Sequence, residues 1–116
     1  MSTSQPFDIT AELEHARRAV RAAALVTRAV QQNLVQAVTL EKSDKSPVTV
    51  ADFASQAVVA GTLARAGSAV RAMVGEEDAG DLRGDEGSKR RAQVVQHTRG
   101  VLGEDLSEEN VLSFID

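Results

Sequence analysis

The sequence predicts a small α/β domain dominated by helices, with three or four helices and one or two short strands. Three observations carry that expectation. Apolar residues recur at helical spacing through a long stretch free of Gly and Pro. One short apolar run, Ala69 to Val74, lies between Gly67 and Gly75 as a strand would. The chain has 116 residues, 42% of them apolar and 26% charged, which suits one packed domain and not a disordered chain.

Residues 1–7 form a lead-in ending at Pro6-Phe7, after which Asp8 or Thr10 can cap a helix by accepting a first-turn N–H. That helix is expected to run to about Ala37. Leu13, Ala16, Val20, Ala23, Thr27, Val30, Leu34 and Ala37 step by three and four, the mark of one buried stripe. Ala19, Leu25, Val26, Val35 and Val38 widen it. So long a helix needs partners to cover its apolar face.

Glu41 to Pro47 is polar and ends in Pro, so a loop is expected there. A second helix is expected to open at Val48 to Asp52, with Thr49 as N-cap and Asp52 three residues on as a short-armed capping box. Phe53, Gln56, Ala57, Ala60 and Leu63 carry it to about Arg65, and Ala66-Gly67 stops it. The strand at 69–74 comes next. It cannot form a sheet alone, so its partners are expected elsewhere. Gly75 to Gly87, with four glycines and six acids, predicts an exposed loop. Ser88 is a candidate cap for a third helix through Ala92, Val94, Val95, Val101 and Leu102, weakened near its end by Gly100 and Gly103. Ser107 and Asn110 are rival caps for a fourth, through Val111, Leu112 and Ile115. Phe114-Ile115-Asp116 stops in mid-helix, so the chain is expected to be the front part of something larger.

Composition excludes several functions. There is no cysteine, hence no disulfide scaffold, zinc-thiolate site or thiol nucleophile. Aromatics make up 3% and the formal charge is −4, which argues against a nucleic-acid surface. Lys89-Arg90-Arg91 is too short a basic run to reverse that. No apolar run approaches the ~20 residues of a membrane helix, and the start lacks a secretory signal. A soluble, reducing, cytoplasmic setting is expected. His15 and His97 lie far apart and are expected on the surface. Gly80, Gly84 and Gly87 do not follow a strand and open a helix, so a phosphate loop is rejected.

Three polar clusters remain: Lys42 to Asp44, Asp52, and Glu76-Glu77-Asp78. Carboxylates at a strand end and near a helix start suit a hard cation such as magnesium, which takes oxygen ligands and keeps several waters. A neighbouring carboxylate can then deprotonate an attacking water. Each has a plainer explanation. Asp52 could serve only the helix start, Glu76 to Asp78 could be a solvated loop, and Lys42, Asp44 and Lys45 could be ordinary surface charges.

Taken together, Lys42-Ser43-Asp44-Lys45-Ser46-Pro47-Val48-Thr49-Val50-Ala51-Asp52-Phe53-Ala54-Ser55-Gln56 resembles the first signature of the 3′(2′),5′-bisphosphate nucleotidases. These belong to the lithium-sensitive, magnesium-dependent inositol monophosphatase superfamily. Val74-Gly75-Glu76-Glu77-Asp78 resembles their second signature. The order, the intervening helix, Gly80 to Arg83 and the long first helix also match, so the resemblance covers nearly the whole chain.

The resemblance implies a layered α/β sandwich, of which this chain would hold the first helices and first strand. It implies that Asp52 helps activate the attacking water, that Glu76 ligates magnesium, that Glu77 supports the site, and that the loop bearing Lys42 and Asp44 lies over it. The implied reaction is hydrolysis of the 3′-phosphate of adenosine 3′,5′-bisphosphate to AMP and phosphate. The family's Asp-Pro-x-Asp-Gly-Thr motif is absent. One aspartate and one glutamate cannot supply the roughly six oxygens that each magnesium ion needs. The chain alone is therefore expected to be inactive or nearly so. The rival expectations are a non-catalytic helical interaction module pairing through the stripe from Leu13 to Leu34, and a sibling phosphatase acting on inositol phosphates.

Overall fold

The computed structural model describes residues 8–36, 46–67, 77 and 79–116. Every element among them is helical: α1 (Ile9–Gln36), α2 (Ser46–Arg65), α3 (Gly80–Arg83), a 3-10 turn (Asp85–Gly87), α4 (Ser88–Leu102) and α5 (Glu108–Ile115). The mostly helical character expected from the sequence holds for these residues. The strand expected at 69–74 lies outside them.

Asp8 is the N-cap of α1. Its Oδ1 accepts from the N–H groups of Thr10 (3.0 Å) and Ala11 (3.2 Å), two donors that have no partner within the helix. Thr10 lies inside the helix.

The buried face of α1 differs from the expected stripe. Val30 of the expected stripe and Ala19 and Val26 of the line that widens it are buried together with Ala22, whereas Leu13, Ala16, Val20 and Thr27 face solvent. At 3.6 residues per turn the true stripe is rotated by roughly a quarter of the helix circumference. α1 packs along α2, and Ala22, Val26 and Val30 of α1 share one core cluster with Val50, Ala54, Ala57 and Val58 of α2. Thr27 and Ser55 add a hydroxyl–hydroxyl bond of 3.1 Å across the same seam.

α2 starts earlier than expected. Ser46 and Pro47 belong to its first turn, and Thr49 lies within the helix. Proline suits a first turn because its missing N–H would be unpaired there and its φ is already helical. The expected stop is observed: Ala66 N–H reaches Thr62 C=O at 3.0 Å, and Gly67 takes φ +72°, which glycine adopts without a Cβ penalty.

α2 is the centre of the molecule, packing against α1, α4 and α5, while α1 and α4 also touch. Gly61 marks the second crossing. A Cβ there would lie 2.6 Å from Leu102 Cδ1 and 3.1 Å from Phe114 Cε2, so any larger residue requires these side-chain ends to shift. The core joins Val26, Phe53, Ala57, Leu82, Val94, Val111 and Ile115 into one cluster.

Two further expectations change. The acidic glycine stretch is not simply an exposed loop. Its residues 80–83 form α3 and 85–87 the 3-10 turn, and Ala79 and Leu82 are completely buried. Ser88 is the first residue of α4 and does not cap it; the N-cap is Gly87, with no side-chain bond. Ser107 and Asn110, set out above as rivals, act together. Ser107 Oγ accepts from Asn110 N–H (3.0 Å) while Asn110 Oδ1 accepts from Ser107 N–H (3.1 Å), a reciprocal capping box. Arginines serve several helix-end carbonyls: Arg65 donates to Leu102, Arg99 to Leu106 at 2.6 Å and Arg91 to Leu82 at 2.7 Å.

Candidate functional site

Asp52 sits in the second turn of α2 with its side chain in solvent. The capping role considered for it is excluded, because the helix begins at Ser46 and the backbone N–H groups around Asp52 are inside the helical ladder. One turn further along, at i+4, is Gln56. Side chains at that spacing lie on the same helix face, about 5–6 Å apart.

Gln56 connects α2 to the acidic turn. Its Oε1 accepts from the Glu77 N–H at 3.0 Å, and its Nε2 donates to the Glu77 C=O at 2.8 Å. The same Nε2 donates to the C=O of Ile115 at 2.9 Å, at the end of α5. Glu77 itself is half-buried. The structure therefore brings the backbone of Glu77 against the face of α2 that carries Asp52. Glu76, Lys42 and Asp44, the other expected site residues, lie outside the described residues.

The turn is tied a second time. Ala79 N–H donates to Asp116 Oδ1 at 3.3 Å. Asp116 Oδ2 takes the Arg83 Nη2 at 2.5 Å, and Arg83 Nη1 bonds Glu109 at 3.0 and 3.3 Å. Hydrogen bonding to Glu109 and then to Asp116 raises the Arg83 pKa above its already high ordinary value. This guanidinium stays charged and staples α3 to both ends of α5.

Sequence reasoning gave Gln56, Arg83 and Asp116 no role. Only Gln56 left a signal, its i+4 spacing from Asp52. Both histidines, expected on the surface, are half-buried. His15 Nδ1 lies 3.3 Å from Glu12 Oε1, and desolvation pushes the His97 pKa down.

A magnesium ion was tested against these residues. No three His, Asp or Glu side chains among the described residues come together in a way that could hold a metal ion. Asp52 and Glu77 do not make a magnesium site by themselves. No helix among the described residues is long and apolar enough to cross a membrane.

No family model matches the chain. Individual proteins do. The 3′(2′),5′-bisphosphate nucleotidase 1 of Arabidopsis thaliana is 39% identical over 113 residues, covering 90% of this chain and 32% of that protein. The 3′(2′),5′-bisphosphate nucleotidase of Oryza sativa is 34% identical over 124 residues, covering all of this chain and 35% of its own length. This chain belongs to the 3′(2′),5′-bisphosphate nucleotidase family. The similarity extends to fungi: the 3′(2′),5′-bisphosphate nucleotidase 1 of Candida albicans is 40% identical over 96 residues, 80% of this chain and 25% of that protein. The chain spans about a third of the length of the Arabidopsis and Oryza nucleotidases it matches. Along this chain, α2 carries Asp52 and Gln56, and Gln56 grips Glu77, the last residue of the Gly75-Glu76-Glu77 step.

Proposed function

We propose that this chain contributes the α2 carboxylate and the acidic turn of a phosphatase site in a protein that removes the 3′-phosphate of adenosine 3′,5′-bisphosphate, giving AMP and phosphate. The observation that carries the reading is the pairing of the Gln56 amide with the Glu77 backbone, one helical turn from Asp52. Identity to the bisphosphate nucleotidases across 90% of the chain supports the substrate class.

In this reading Asp52 is the general base. Its solvent-facing carboxylate takes a proton from the attacking water as the new phosphorus–oxygen bond forms and the bond to the 3′-oxygen breaks. Glu76 is a magnesium ligand and Glu77 supports it, while Lys42 and Asp44 belong to a loop over the site. The reaction is magnesium-dependent and the setting cytoplasmic. Because Asp52 and Glu77 are too few for a magnesium shell, further oxygens must come from beyond the described residues. The whole domain in this reading is the layered α/β sandwich of the inositol monophosphatase type.

The test is phosphate release from adenosine 3′,5′-bisphosphate, with and without magnesium, by this chain and by the longest open reading frame that contains it. The longer protein should release phosphate only with magnesium, and this chain little or none. No release by the longer protein overturns the reading. Inositol monophosphate in the same assay separates the sibling activity. A second reading, a non-catalytic helical module, is favoured by one observation: Ile9, Leu13, Val20 and Leu25, all on α1, are 54–68% exposed. It predicts a dimer or a stable complex, and a folded monomer in sedimentation counts against it.

A further inference from the structure

We propose that Gln56 is a positioning residue of the site, holding the Glu77 peptide in place beside Asp52 and locking it to the end of α5. The proposal rests on the phosphatase reading above.

Three features carry it. First, the Gln56 carboxamide is used in full: its oxygen accepts from Glu77 N–H, and its nitrogen donates to Glu77 C=O and Ile115 C=O. Exchanging its oxygen and nitrogen would set N–H against N–H and oxygen against two carbonyls, so the orientation is unambiguous. Second, a side chain that engages both backbone groups of one residue does what a neighbouring strand does, fixing where the chain runs as well as that it is near. Third, the turn is held again two residues on, where Asp116 accepts from Ala79 N–H. Glu77 is thus fixed from α2 and Ala79 from the end of α5, and both anchors lie on the side of α2 that Asp52 shares with Gln56.

The residue type matters. A glutamate at position 56 would keep the acceptor but lose both donors, and would set a negative charge against two carbonyl oxygens. A methionine would fill the same space with no hydrogen bond at all.

The experiment has two parts. In this chain, amide hydrogen exchange at Glu77 is followed by NMR for the native sequence, Gln56→Met and Gln56→Glu, with helix content and melting temperature as controls. Exchange at Glu77 should quicken about tenfold in Gln56→Met, which removes the acceptor of that N–H along with both donors, and by less in Gln56→Glu, which keeps an acceptor and loses the two donors, with helix content retained. In the longest reading frame that contains the chain, kcat for adenosine 3′,5′-bisphosphate should fall about 10- to 100-fold in both variants, with KM within about twofold. Unchanged exchange at Glu77 overturns the clamp. Quickened exchange with unchanged kcat overturns the positioning role, and so does a parallel loss of kcat, KM and melting temperature, which marks a structural role only. If the native longer protein releases no phosphate, the phosphatase reading has failed and the positioning role fails with it; the exchange result, read on this chain, tells the two failures apart.

Discussion

Along α1, Ile9, Leu13, Val20 and Leu25 stand in water while alanines and valines carry the packing. Around Gln56 the arrangement is reversed: a polar amide is half-buried with its donors and acceptor engaged, and the apolar neighbours Ala79, Leu82 and Ile115 are sealed inside. What separates them is directional bonding between elements. The junction has hydrogen bonds and an ion-pair network that join separate helices in one geometry, whereas the exposed face of α1 sets apolar side chains beside ion pairs of Glu14 with Arg17 and Arg18 that stay within the one helix. Such a surface is neutral for the isolated fold and gains value only when something covers it.

That contrast can be broken or sharpened by measurement. The largest effect is expected at Asp52, on the junction side of α2. Asp52→Asn should lower kcat of the longer protein by about 100-fold or more, with the melting temperature unchanged because the side chain is exposed. Retained turnover would remove the chemistry from the junction. Next in size is Leu82→Ala. This residue is completely buried, and its truncation should cost about 2–5 kcal/mol in chemical denaturation. Ser107→Ala, which opens the capping box of α5, should cost about 1 kcal/mol and loosen the helix end that the junction uses.

A smaller effect is expected from pH. Burial lowers the His97 pKa from its ordinary 6.5, so the unfolded chain takes up a proton before the folded one does. The associated stability is present above the unfolded value and is lost as pH falls through it. Melting temperature should therefore decline below about pH 6.5, and His97→Gln should flatten that part of the decline. Leu13→Ala comes last. It should change stability by less than about 0.5 kcal/mol, in contrast with Leu82→Ala. A cost above 1 kcal/mol would mean that the outer face of α1 is covered in solution.

Much of this was legible from sequence because it depends on near neighbours. Asp8 caps α1, Gly67 ends α2 and the Ser107–Asn110 spacing starts α5, each through bonds spanning two to four residues. α2 starts earlier than expected because Pro47 opens the helix and does not end a loop. The buried face of α1 lies about a quarter-turn from the expected stripe, and its packing against α2 and α4 selects it.

The sequence by itself determined the four longer helices, several of their end signals and the family, since local hydrogen bonding and residue order need no tertiary partner. Tertiary structure alone decided which face of α1 is buried, and that Gln56 meets Glu77, 21 positions away, and Ile115, 59 positions away. A carboxamide can serve any carbonyl or N–H within reach. Its partners are chosen by how α2 and α5 pack, and short-range spacing carries no record of that.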